Sequence, residues 1–141
     1  MTQSELAAAY AATCYRVYLP GGVIDLRVGK TDARLAAWLA TAGARCFAVL
    51  TACNPGSLAS VERNAEQQAA LVADLLEGNY DTFSAENIAD DAAWPLEESV
   101  FVPDIERLDA LALAADYGQN AILWGTAAGT PELAWTAELD A

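Results

Sequence analysis

Polar side chains suited to binding a ligand follow a short apolar segment near the middle of the chain. Thr51 lies at the end of the apolar run 46–52, and Asn54 and Ser57 come soon after it. An apolar run of this length, bounded by turn residues, is typical of a strand buried on both faces. Such a strand carries the polar groups at its carboxyl end to one edge of a sheet, where ligand pockets commonly form. We therefore predict a site for a small polar ligand at the C-terminal end of strand 46–52.

The helix predicted after this loop adds two amide side chains to the same region. Ser60 is its expected N-cap, and its buried stripe contains Asn64 and Gln68 in the half nearest the loop. The free N–H groups and the positive dipole end of its first turn favour an anionic or amide-bearing ligand. A purely structural explanation of Asn54 stays open, because Asn-Pro-Gly is a typical turn sequence.

Glu98 and Gln119 are predicted to approach this pocket from other elements. Glu97 and Glu98 open a strand, and because consecutive strand residues point to opposite faces, at most one of them faces a pocket. Glu98 is the candidate for proton transfer if the protein is an enzyme, and a solvated charge at the strand end is the alternative. Gln119 follows the expected helix stop at Gly118, where it either bonds free backbone groups or faces the pocket. These patterns do not assign a catalytic residue.

The residue types that are missing exclude several kinds of chemistry. The chain has no His, so it lacks the commonest metal ligand and the usual general base at neutral pH. We therefore expect no metal site of conventional composition and no Ser-His or Cys-His dyad. The sequence has no Gly-rich motif of the dinucleotide-binding or P-loop type, and we expect no cofactor.

The cysteines and the N-terminal sequence predict a cytoplasmic location. Cys14, Cys46 and Cys53 form an odd set without CxxC spacing, which favours free structural thiols in a reducing compartment. A reactive thiol stays open for Cys53, at the mouth of the predicted pocket. The first basic residue is Arg16, so the charged start of a secretory signal is missing. No segment approaches the roughly 18 apolar residues of a membrane span, and we expect no membrane association.

The net charge of −13 is distributed unevenly along the chain. Residues 1–70 carry six basic and five acidic side chains, whereas residues 71–141 carry one basic and fifteen acidic side chains. An acidic half repels phosphate groups, so we expect no nucleic-acid binding. This half serves either to keep an Ala-rich protein soluble or to dock a basic protein partner. An acidic interaction module is therefore the alternative to ligand binding.

Hydrophobic periodicity predicts a single α+β domain over residues 1–141. Residues 1–12 form an N-terminal helix or arm with Ser4 as its expected cap, and one side of it carries Leu6, Ala9 and Tyr10. The following elements have the order β-β-α-β-α-β-β-α-β-β, in a mixed sheet with helices packed on it. The first two strands form a hairpin in which Arg16 faces Asp25 or Arg27.

The remaining elements are placed by their turn residues and apolar spacing. The second helix is capped by Thr31 or Asp32 and ends at Gly43. The later elements are strand 80–84, an acidic loop 85–93, strand 98–102, a helix capped by Asp104 with Ile105, Leu108, Ala112 and Ala115 inside, strand 120–124 and strand 132–139. An exposed edge strand, 80–84 or 132–139, offers a homodimer contact.

Several short motifs occur in an order and spacing that resemble a known family. They are Tyr15 with the hairpin, Leu26-Arg27-Val28-Gly29, Leu50-Thr51-Ala52-Cys53-Asn54-Pro55, Asn64, Trp94-Pro95-Leu96-Glu97-Glu98-Ser99 and Tyr117-Gly118-Gln119-Asn120-Ala121. From about Tyr10 to Trp124 the chain resembles the small bacterial family catalogued as domain of unknown function 3293. The resemblance implies a bacterial, cytoplasmic, single-domain protein and implies no activity. Cys53 stands where the family often has an aromatic residue, which implies an altered site.

Overall fold

A computed structural model describes residues 2–54 and 61–140 of the protein. The helices are α1 Gln3–Ala11, α2 Ala33–Ala42, α3 Val61–Glu77 and α4 Arg107–Asp116. The strands are β1 Thr13–Leu19, β2 Gly22–Leu26, β3 Cys46–Leu50, β4 Phe83–Ala89, β5 Glu97–Pro103, β6 Ala121–Thr126 and β7 Glu132–Trp135. The predicted α+β class and the order of elements along the chain are confirmed. No helix in this part of the chain is long and apolar enough to cross a membrane.

The seven strands form one sheet with the order β2-β1-β4-β5-β3-β6-β7. Every neighbouring pair is antiparallel, which corrects the expectation of a mixed sheet. The reason is that strands connected by a helix have another strand between them in the sheet. Helix α3 joins β3 to β4 and α4 joins β5 to β6, and each helix connects strands that run in the same direction. Because β5 separates the first pair and β3 separates the second, no parallel strands become neighbours.

Strand β4 lies inside the sheet and not at its edge. It pairs with β1 on one side and with β5 on the other. The predicted edge strand 80–84 is therefore wrong in position and in its bounds, and it offers no dimer contact. Glu86 and Asn87 lower the strand propensity of this segment, but pairing with two neighbours overrides that preference. Strands β2 and β7 form the edges of the sheet, and a 3₁₀ helix, Thr136–Asp140, replaces the second half of the predicted strand 132–139.

Strand β3 is buried on both faces, as predicted, and it separates two hydrophobic clusters. Its Phe47 and Val49 pack on one side with α2, and its Ala48 and Leu50 pack on the other side with α3 and α4. The helix residues in these clusters include Leu35 and Leu39 of α2, Leu71 and Leu75 of α3, and Ala110, Leu111 and Ala114 of α4. Close packing on both faces fixes the position of β3 and of the loop that leaves it.

The N-terminal caps of the first two helices are defined by side-chain hydrogen bonds. Asp32 caps α2, as expected, because its Oδ1 accepts a hydrogen bond from the Leu35 N–H at 2.9 Å. The cap of α1 is Thr2 and not Ser4. The Oγ1 of Thr2 accepts a hydrogen bond from the Glu5 N–H at 3.1 Å. The helix therefore begins closer to the N-terminus than the predicted cap.

Two acidic side chains form bonds between neighbouring strands or the residues that flank them. Of the two predicted partners of Arg16 in the hairpin, Asp25 is the one observed, and their side chains form an ion pair with N···O 2.8 Å. Asp104 does not cap α4, because its carboxylate accepts a hydrogen bond from the Arg45 N–H at 3.0 Å. The N-cap of α4 is Glu106, two residues beyond the predicted cap, and it makes no side-chain cap bond.

Candidate functional site

A cavity of about 250 Å³ lies between α1 and one end of the sheet. Because strand direction alternates, the starts of β1, β5 and β6 and the ends of β3 and β4 meet at this end. The lining residues are Leu6, Ala9, Tyr10, Ala12, Thr13, Tyr15, Thr51, Cys53, Asn54, Asn87, Ala89, Asp91, Trp94, Glu97 and Gln119. The C-terminal end of β3 therefore opens onto a cavity with carboxylate, amide and aromatic groups.

The structure brings most of the predicted site residues to this place. Thr51, Asn54 and Gln119 line the cavity. Asn64 is not in the lining, but its side chain supports Asn54 from α3. Ser57 lies outside the described residues. The expected meeting of the loop after β3 with the amides of α3 is therefore observed.

The side chain of Asn54 connects α3 to β5. Its Oδ1 accepts a hydrogen bond from Asn64 Nδ2 at 3.0 Å, and the backbone N–H of Asn54 donates to Asn64 Oδ1 at 2.9 Å. Its Nδ2 donates to Glu97 Oε2. Gln68, the second amide of α3, accepts a hydrogen bond from the Ala52 N–H at 2.9 Å. Both amides that interrupt the apolar stripe of α3 therefore bind the loop that borders the cavity.

Two other predicted residues hold the main chain of this loop. Thr51 Oγ1 donates to the Glu98 carbonyl at 2.7 Å and accepts from the Cys53 N–H at 3.1 Å. Gln119 is buried, and its Nε2 donates to the Cys53 carbonyl at 3.0 Å. These bonds pair main-chain groups of this loop and of β5. Thr51 and Gln119 therefore position the rim of the cavity as well as lining it.

Glu97, and not Glu98, reaches the cavity. Glu98 is exposed and does not contribute to the lining, whereas Glu97 does. Along β5 the side chains alternate, so Glu97 shares its face with Ser99 and Phe101, which are buried. Of the two glutamates, the one that faces the cavity is therefore Glu97 and not Glu98, the residue predicted to do so.

Glu97 is an acidic group without a basic partner in the described part of the chain. The ion pairs found there are Arg16–Asp25, Arg27–Asp90, Arg45–Asp104 and Arg107–Glu138. Burial raises the pKa of the Glu97 carboxyl, and hydrogen bonds from the side chains of Asn54 and Asn87 partly oppose that rise. In residues 2–54 and 61–140, no group of three or more His, Cys, Asp or Glu side chains is placed to hold a metal ion.

Tyr15, Asn87 and Glu97 lie side by side on neighbouring strands. Tyr15 of β1 is opposite Asn87 of β4, which is opposite Glu97 of β5. Sequence reasoning missed Asn87, because its segment was predicted to be a loop. It also missed Trp94 as a lining residue. Tyr10, another lining residue, belongs to the side of the N-terminal helix that the sequence analysis had already identified.

Comparison with known families identifies a segment that contains part of the cavity lining. A family model described as "Protein of unknown function (DUF3293)" matches residues 50–122, slightly more than half of the chain. The chain belongs to this family. The part matched to DUF3293 contains Asn54, Asn64, Asn87 and Glu97, so the hydrogen-bonded group at the cavity lies within the family segment. No curated protein and no solved structure shows detectable similarity to the chain.

Two tyrosines that precede the DUF3293 segment in the sequence, Tyr10 and Tyr15, are neutral aromatic walls of the cavity. Burial, together with the negative charge of Glu97, raises the pKa of Tyr10 to about 12. Burial is also the main reason that the pKa of Tyr15 lies far above its ordinary value. The thiol of Cys53 has a raised pKa for the same reason, which disfavours the reactive thiolate. The structural interpretation of Cys53 is therefore the better supported one.

Replacing Glu97 with Gln is expected to stabilise this DUF3293 protein at neutral pH. A carboxyl whose pKa is raised by folding stabilises the folded state fully below its unfolded pKa, and that contribution is lost as pH rises through the folded pKa. Gln keeps the acceptor for Asn54 but cannot ionise. The melting temperature of Glu97→Gln is therefore expected to exceed that of the wild type at about pH 7.5, with a smaller difference at about pH 4.

Thermal unfolding of both proteins across this pH range measures the effect. The matched control is Glu98→Gln, which removes the same charge from the exposed neighbour. Two results would contradict the conclusion that ionisation of Glu97 destabilises the folded protein. One is a melting-temperature difference for Glu97→Gln that does not change with pH, and the other is a difference equal to that of Glu98→Gln.

Proposed function

We propose that the protein binds a small organic ligand in the cavity between α1 and the sheet. The observation that supports this most strongly is the cavity itself, which combines apolar walls with a buried amide and a half-buried carboxyl group at one end. This combination is typical of small-molecule sites, in which a few polar groups orient a ligand held by apolar contacts. The volume of about 250 Å³ lies just below the roughly 300–1,000 Å³ typical of ligand pockets, so the ligand is small.

The alternative, an acidic module that docks a basic partner, has less support. Many of the acidic side chains that sequence analysis assigned to an open acidic half are already bonded within the chain. Asp90 and Glu138 form ion pairs with arginines, and Asp74 accepts a hydrogen bond from the hydroxyl of Tyr117. A carboxylate that is ion-paired with an arginine attracts a basic protein less strongly.

A cavity-filling variant tests the proposal directly. Ala9 of α1 lines the cavity, and its neighbour Ala8 is exposed outside the lining. We expect at least one compound of a metabolite panel to raise the melting temperature of the wild type, since a ligand at ~100 times its Kd adds about 2.7 kcal/mol. The Ala9→Trp variant is expected to lose this response because the indole occupies the cavity, and Ala8→Trp is expected to keep it.

The result is read from the two tryptophan variants together. Equal ligand responses in Ala9→Trp and Ala8→Trp would place the binding elsewhere on the molecule. If no compound stabilises any of the three proteins, while a basic protein binds the wild type at low salt and dissociates at high salt, the docking alternative replaces the proposal.

A further inference from the structure

We propose that the ligand of this cavity is a small organic ammonium ion with an apolar body. This inference rests on the proposed function and names the chemical class that the cavity selects. The charged residues of the lining are Glu97 and Asp91, and no Lys or Arg is among the described lining residues. An ammonium ion supplies the positive charge that this wall lacks.

The charge balance around the cavity favours a cation over an anion. The nearby Arg27 is held in a two-fold hydrogen bond to Asp90 at 2.8 and 2.9 Å, so it is not directed at Glu97. A partly buried carboxylate is costly without an opposite charge, and a bound cation offsets that cost. A carboxylate or phosphate ligand would instead be repelled by the same wall. The expectation of an anionic ligand, based on the helix after β3, is therefore not supported by the lining.

The hydrogen-bond acceptors of the site match the donors of an ammonium group. A carboxylate can accept about four hydrogen bonds. Among the described residues, the side chains of Asn54 and Asn87 donate hydrogen bonds to the Glu97 carboxylate. The Oδ1 atom of Asn87 is buried and has no hydrogen-bond partner in the described part of the chain. Because –NH₃⁺ has three donors and no acceptor, it can donate to both Glu97 and Asn87 Oδ1 and brings no acceptor that would need a donor from this wall.

The rest of the cavity suits the apolar body of such a ligand. Tyr10, Tyr15 and Trp94 contribute aromatic rings, and Leu6 with several alanines contributes methyl groups. Aromatic faces attract organic cations as well as apolar groups. Trp94 is 43% exposed, so its ring lies at the solvent side of the cavity, where a ligand enters.

A matched series of probes tests the ammonium preference. The probes are benzylamine, benzyl alcohol and benzoate, together with n-butylamine, n-butanol and butyrate. They are titrated into wild type, Glu97→Gln and Glu98→Gln, with NMR shift changes reporting both affinity and position. We expect the amines to shift the signals of Ala9 and Tyr10, and to bind Glu97→Gln about ten- to a hundredfold more weakly, as expected for loss of a charged hydrogen bond. Glu98→Gln is expected to bind the amines as the wild type does.

The outcomes separate this inference from the proposed function. If the alcohols or carboxylates bind in the cavity as tightly as the amines, or if Glu97→Gln keeps full amine affinity, the ammonium proposal is overturned and the small-ligand site stands. If no probe of any charge shifts the cavity signals, both are overturned. The melting temperature of Glu97→Gln shows independently that the variant is folded.

Discussion

Replacing Asn54 with Ala is expected to lower the free energy of unfolding by about 2–4 kcal/mol. Asn54 is 4% exposed and bonds to Asn64 and to Glu97. Truncation removes the donor that Glu97 uses and the acceptor that Asn64 uses, at a place where water does not easily replace them. The φ angle of Asn54 is +51°, a left-handed conformation that Ala adopts less readily than Asn. Urea-induced unfolding of the wild type and Asn54→Ala measures the difference.

The control for backbone strain is Asn79→Ala. Asn79 also has a left-handed backbone, with φ +65°, but its side chain is exposed after α3. Its replacement is expected to lower the free energy of unfolding by about 1 kcal/mol, the strain component alone. A loss in Asn54→Ala no larger than in Asn79→Ala would mean that the hydrogen bonds of Asn54 contribute nothing to stability.

Replacing Phe101 with Ala is expected to have the largest effect of any substitution considered, about 3–5 kcal/mol. Phe101 has no exposed surface, and its ring stacks on Phe47 at a centroid distance of 5.7 Å. Trp38 and Phe83 meet the same ring at 5.7 and 6.3 Å. Truncation leaves a cavity among the three remaining aromatic side chains, which cannot easily collapse into it. Because domains of ordinary stability have about 5–15 kcal/mol in total, this loss brings the protein close to unfolding.

Leu108→Ala is the matched control for Phe101→Ala. Leu108 is 65% exposed on α4, so its truncation is expected to change the free energy of unfolding by about 0.5 kcal/mol or less. Both variants are measured by urea unfolding, and the NMR spectrum establishes that each is folded without denaturant. Equal losses in the two variants would contradict the central role of the aromatic cluster.

Parts of the fold were predictable where a short stretch of chain determines its own conformation. Gly43 ends α2 at φ +70°, a conformation that glycine adopts without strain. Arg16 and Asp25 face each other because the tight turn between β1 and β2 sets their register. The shared side of Leu6, Ala9 and Tyr10 follows from helical period, and that side lines the cavity.

The buried side of α4 was not predictable, because its sequence is rich in alanine. Leu108, a predicted inner residue, is 65% exposed, whereas Leu111 is fully buried. Because alanine and leucine together occupy seven of the ten positions of α4, several faces of the helix have similar apolar character, and periodicity does not select among them. Contacts with the sheet decide the orientation of the helix.

In the candidate site too, local sequence determines some features and contacts between distant parts of the chain determine the others. The sequence by itself determined the α+β class, the order of the elements, the burial of β3 on both faces and the polar loop that follows it, because these depend on local periodicity and turn chemistry. The tertiary structure alone decided that all neighbouring strands are antiparallel and that Glu97, instead of Glu98, shares a cavity with Asn54. Alternation along β5 separates the two glutamates, but the pairing of distant strands and the docking of α1 determine which face of the sheet holds the cavity.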